Sequence, residues 1–183
     1  MIEEKEVDRA LSEAREAFSK SEYLKLRDMS NDLLRDAILN EETQLIELSL
    51  LCYALYKIAS KSNLRRRPEW EKFKKDMLHL LKRAEEKSQT REELDKVLRE
   101  MLELTSSFYE NLGIYIDNVV EKARLKQAIR AYSMGLSLGQ AAALTGVSKG
   151  RLLSMIGKTK IHDRHEAKTA IERYKDLKGF LEG

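Results

Sequence analysis

The side chains of this 183-residue chain best suited to act on a partner gather late in the sequence: Ser148, Lys149, Arg151 and Ser154, then Lys158 and Lys160. Ammonium and guanidinium groups neutralise phosphates and donate to base edges, and a serine hydroxyl can do either. The spacing predicts that Ser148 caps a helix, that Lys149, Arg151 and Ser154 meet base edges, and that Lys158 and Lys160 sit on phosphates. Other reactive residues are scattered. Cys52 lies among Leu50, Leu51 and Tyr53, which predicts a buried, inert thiol. His162, Asp163 and His165 are close in sequence, yet a metal needs three or four ligands converging at about 2 Å on rigid elements. These three stand in a basic loop with no cysteine nearby, so no metal is expected. His79 reads as a core-edge residue. Arg65-Arg66-Arg67 reads either as a phosphate or partner contact or as a solvated turn. The chain has no phosphate-binding G-x-x-x-x-G-K-[ST] loop, no H-E-x-x-H and no serine elbow, so neither a cofactor nor catalysis is expected.

The cations are positioned by the stretch from Ala131 to Gly157, AYSMGLSLGQAAALTGVSKGRLLSMIG. Ala142, Gly146, Val147-Ser148, Leu152 and Met155 have the spacing of a helix-turn-helix. A small residue lets two helices cross closely, and glycine supplies the positive φ of a tight turn. Ser148 can cap the second helix by accepting an orphan backbone N–H. Val147, Leu152 and Met155 would then face a small core, leaving Lys149, Arg151 and Ser154 outward.

The LSLGQAAALTGVS run resembles the DNA-binding helix-turn-helix of bacterial and archaeal regulators. It is most similar to small antitoxin-like proteins carrying S-L-G-x-A-A-x-x-x-G-[VLM]-S. The likeness is confined to residues 131–157. Gly150 stands where those relatives carry a bulky aromatic, a change that costs roughly 1 kcal/mol of helix stability against alanine. The resemblance implies a regulator that reads double-stranded DNA, with matching twofold symmetry as a homodimer. It also leaves open an antitoxin-like module that clasps a partner protein, and a helical scaffold whose hairpin only mimics a DNA reader.

Composition fits this organisation. One proline, eight glycines and 36% charged residues suit helices with alternating-sign faces, and an all-α fold is expected. A single cysteine excludes an internal disulfide and suits a reducing cytoplasm. No apolar run reaches the roughly 18 residues of a membrane span, and the first residues do not read as a signal peptide. Residues 1–112 hold 21 Lys+Arg against 24 Asp+Glu, whereas residues 113–183 hold 13 against 7. The basic excess therefore travels with the candidate DNA reader, as phosphate attraction requires.

Read in order, the periodicity predicts helices over 3–19 and 23–39, followed by one over 41–61 capped by Asn40 and led by Glu41 and Glu42. That third helix is apolar almost all round and should form the hub of the bundle. Residues 62–67 read as a loop, and Pro68 as the first residue of a fourth helix. Thr90 and Glu93 form a capping box opening a fifth helix, and Asn111-Leu112-Gly113 ends it. The boundary is placed there: a helical bundle over 1–112, for dimerisation or partner binding, and a DNA-binding domain over 113–183. A sixth helix over 114–134 leads into Gly135, Ser137 caps the next over 138–145, and the last of the pair runs over 148–156 to Gly157. Residues 158–162 read as an extended basic segment, and a helix to about 181 closes the chain.

Overall fold

The structure, a computed structural model, describes residues 2–40, 43–86, 90–112 and 119–158. The described residues form helices and no strand: α1 (Ile2–Ser19), α2 (Tyr23–Asn40), α3 (Thr43–Ala59), α4 (Ser62–Arg65), α5 (Glu69–Ala84), α6 (Arg91–Asn111), α7 (Val119–Ser133), α8 (Leu138–Thr145) and α9 (Lys149–Lys158). The fold is all-α, as the composition requires. None of these helices is long and apolar enough to cross a membrane. Glu41, Glu42, Lys160, the segment after Lys158, the His162–Asp163–His165 trio and the expected closing helix lie outside the described residues.

α3 is the hub. All its residues but Thr43, Glu47, Tyr56 and Lys57 are buried, because a helix apolar on every side can find enough apolar cover only inside a bundle. It packs chiefly on α2 and also meets α1 and α6, while α5 lies against α1 and α6. Where α1, α5 and α6 meet, aromatic rings interlock: Trp70 is 5.6 Å from Phe73, and Phe73 is 4.5 Å from Phe108, centroid to centroid. Phe18 adds edge-on contacts to Trp70 and Phe73.

Local chemistry fixes the helix ends. Thr90 accepts from Glu93 N at 3.3 Å while its own N–H donates to the Glu93 carboxylate at 2.8 Å, the reciprocal box expected from the sequence. Three expectations change. Asn40 is the last residue of α2 rather than a cap for α3, and its amide donates to Glu6 at 3.2 Å. Residues 62–65, read as loop, form the single-turn α4, which buries Leu64. Pro68 is the N-cap of α5 rather than its first residue, with φ −56° already helical.

The chain divides into two compact units, residues 1–127 and 128–183, later than the boundary read at 112. The first part of α7 belongs with the bundle because its Gln127 amide donates to the Ser30 hydroxyl of α2, and Ser49 of α3 donates to the Ser30 carbonyl at 2.8 Å. This buried relay ties three helices of the first unit together, and sequence periodicity carries no sign of it.

Candidate nucleic-acid interface

The second unit is built from small residues. Ala128, Ala131, Ala141 and Ala142 are buried together with Val147 and Leu152, and alanine contacts let short helices approach closely. Gly135 takes φ 103° after α7, with Gly135 N–H donating to Tyr132 O at 3.0 Å and Leu136 N–H to Ala131 O at 3.2 Å. Ser137 then opens α8 with a second reciprocal box. Its hydroxyl accepts from Gln140 N at 3.1 Å, and its N–H donates to Gln140 Oε1 at 2.9 Å.

Gly146 ends α8 in the left-handed region, φ 71° and ψ 20°. Its N–H donates to Ala143 O, and the Val147 N–H donates back to Ala142 O at 3.1 Å. That pair of bonds is a Schellman ending, and glycine is the residue that adopts it without a Cβ penalty. Ser148 caps α9: Arg151 N donates to Ser148 Oγ at 3.3 Å, and Leu152 N to Ser148 O at 3.0 Å. α9 packs on α8. Val147 and Leu152 are buried, Met155 is half-buried, and Ser148, Lys149, Arg151 and Ser154 are exposed.

Residues 128–158 contain four cations (Arg130, Lys149, Arg151 and Lys158) and no carboxylate. Taken by itself, the segment therefore has a formal charge of +4. Lys149 is placed by a contact that the sequence reading missed. A Cβ at Gly139, in the first turn of α8, would lie 3.3 Å from Lys149 Cε and 3.4 Å from its Nζ. The lysine therefore lies across α8 at the bare glycine. The unused signal was Gly139 itself, a poor helix former placed in the first turn of a well-capped helix.

Two further features went unforeseen. Leu153 is 59% exposed on α9, one turn beyond Lys149. Gly157, read as the stop of the helix, lies inside it, and Lys158 is helical rather than the start of an extended segment. Gly150 and Gly157 are both open outward, with no atom within 4 Å of an added Cβ. Neither has positive φ, so neither the backbone nor the packing demands a glycine there.

No three His, Cys, Asp or Glu side chains among the described residues gather to hold a metal. Cys52 is fully buried, and burial pushes its thiol up to about 12. Set beside known proteins, the chain matches no family, no curated sequence and no solved structure.

Proposed function

We propose that α8 and α9 form a helix-turn-helix through which the protein, as a homodimer, reads duplex DNA as a transcriptional regulator. The observation that carries this reading is the division of α9: Leu152 is buried beneath the Ser148 cap while Lys149, Arg151 and Ser154 are exposed. In the proposal these three approach base edges, Ser148 and Lys158 hold phosphates, and Lys160 extends the phosphate contacts. The placement of Lys149 adds support. Its ammonium lies against the first turn of α8, the positive end of that helix, where an anion is favoured and a cation is not. A DNA phosphate there would relieve the conflict. Such work belongs in the cytoplasm, with which one reduced thiol is compatible.

Selection of bound duplexes from a random library at low salt, followed by affinity titration, tests the reading. An enriched palindrome is expected, with half-sites about 34 Å apart. Arg151→Ala should weaken binding to it by about tenfold and relax the preference at one position. Failure to enrich any sequence at low salt, with Arg151→Ala indistinguishable from the parent, overturns it.

A second reading has its own observation. Tyr132, Met134 and Leu153 are large apolar side chains left exposed in the same unit. That pattern favours a protein partner, as in an antitoxin-like module. Co-expression with the product of the adjacent gene would favour this reading if the two co-purify and Leu153→Glu separates them.

A further inference from the structure

The strongest charge on the first unit is not at its termini. Residues 57–67, KIASKSNLRRR, carry five cations and no carboxylate. Elsewhere in the unit, cations such as Arg9, Arg15, Arg35 and Arg83 stand within 4.0 Å of a carboxylate. Among the described residues, Lys57, Lys61, Arg65, Arg66 and Arg67 make no such pair, although Glu69 and Glu71 come soon after in sequence. Three of the five rest on tyrosine rings instead. Lys57 Nζ is 5.6 Å from the Tyr53 centroid and 5.8 Å from that of Tyr56. Lys61 lies 5.4 Å over Tyr109 and also donates to its hydroxyl at 3.2 Å. Arg65 stands 5.4 Å over Tyr23 and donates to Ala59 O.

A ring quadrupole attracts a cation without cancelling its net charge. The tyrosines therefore hold these side chains in place while leaving the surface positive, and much of the entropy of ordering them is lost in folding rather than in binding. Lys57 stands in the last turn of α3 and Lys61 at the N-cap of α4, so the cations run on from the end of one helix into the start of the next.

We propose that the α3–α4 surface of residues 57–67 is a second DNA contact, one that grips the phosphodiester backbone of a duplex without reading its sequence. Duplex is favoured over single strand because the four rings, Tyr23, Tyr53, Tyr56 and Tyr109, already carry cations, leaving fewer faces for bases to stack on. The proposal does not depend on α9. It adds a function to a bundle whose other expected tasks are dimerisation and partner binding.

The experiment measures affinity of the full chain for a 30-base-pair duplex as salt is varied. The variant is K57Q/R66Q/R67Q, which spares Arg65 and Lys61 because they also hydrogen-bond within the fold. Each lost phosphate contact should reduce the slope of log K against log salt by about 0.9, so a drop of about 2 to 3 is expected. Affinity should fall by about tenfold or more, equally for all duplex sequences. Should the triple variant unfold, as read by far-ultraviolet circular dichroism, R66Q/R67Q removes only exposed guanidiniums and should lower the slope by about 2. An unchanged slope, or no binding by the parent chain, overturns the proposal. So does polyglutamate of matched charge displacing the duplex at equal concentration, since that outcome marks an acidic-protein dock. Duplex binding without sequence preference, still weakened by K57Q/R66Q/R67Q, would sink the α9 reading and leave this one standing. A selected sequence whose preference Arg151→Ala relaxes, with the slope untouched by the triple variant, would do the reverse.

Discussion

Two single residues in the hub helix have opposite chemical standing. Cys52 is a thiol surrounded by hydrocarbon, and burial pushes it up to about 12, so almost no thiolate exists at neutral pH. Native protein should not react with an aromatic disulfide reagent over hours, while urea-unfolded protein reacts within minutes. Prompt modification of the folded chain would contradict the packing. Glu47 is the one half-buried carboxylate of that helix, and its Oε2 has no hydrogen-bond partner. Burial raises its pKa, Asp95 raises it further, and Arg124 and Arg99 pull it back without cancelling the rise. A folded pKa above the unfolded one means that the folded state holds the proton more tightly. Stability is therefore greatest at low pH as far as this group is concerned, and falls as pH rises through the folded pKa. Glu47→Gln removes the titration. Its thermal midpoint should exceed that of the parent at pH 7.5, with the gap closing towards pH 4. A gap independent of pH would mean that the carboxylate finds compensation in solution. Cys52 was legible from its neighbours in sequence. The predicament of Glu47 was not, because it arises from α6 and α7 side chains far away along the chain.

At the scale of elements, most of the structure follows from short-range chemistry. Thr90 with Glu93, and Ser137 as a cap, announce helix starts that the structure reproduces, and Gln140 adds at the second a reciprocal bond that the reading of the sequence did not include. Gly146 announces a left-handed turn and supplies it. Alanine there must hold φ near 71°, which costs about 1–2 kcal/mol, so Gly146→Ala should lower the midpoint of the second unit. The end of α1 falls at Ser19, as its periodicity predicts, but the bonding that closes it has no signal in the sequence. α1 closes with the same bonding as α8: Glu22 N–H reaches Ala17 O at 2.8 Å and Ser21 N–H reaches Phe18 O at 3.2 Å. Here the left-handed residue is Ser21, φ 62°, and nothing about a serine advertises that conformation. Gly157 misled in the other direction, because a glycine near the end of an apolar pattern reads as a stop. Gly150 is the informative case. It is helical, open to solvent and free of any contact an added Cβ would make. Gly150→Ala should therefore stabilise the chain by up to about 1 kcal/mol. If α9 approaches a groove as closely as the bare stripe of Gly150 and Gly157 permits, the same change should weaken binding to the selected duplex. Denaturant melts and affinity titrations of this one variant read both effects.

On the scale of the whole molecule, each of the two compact units has its own core and its own concentration of positive charge. In the first unit that charge gathers on residues 57–67; in the second, residues 128–158 are uniformly basic. A sequence-wide count blurs the first of these, since residues 1–112 are net acidic, and only the ion pairs and ring contacts show which cations are left uncompensated. The cores differ in kind as well. The first interlocks Trp70 with Phe18, Phe73 and Phe108 around an apolar hub, whereas the second rests on alanines with Val147 and Leu152. Trp70 is the only tryptophan, so its emission reports the first unit alone. Truncating a buried leucine costs about 2–5 kcal/mol, by lost transfer energy and by the cavity left behind. Leu51→Ala, in the hub, should thus move the Trp70 transition to lower urea. Leu152→Ala should leave that transition in place while helicity seen by circular dichroism is lost earlier, over a separate phase belonging to the second unit. It should also abolish selective DNA binding and spare the salt-sensitive grip of residues 57–67. A single coincident transition in both variants would show that the two cores unfold as one, and that the division of labour drawn between them has no thermodynamic counterpart.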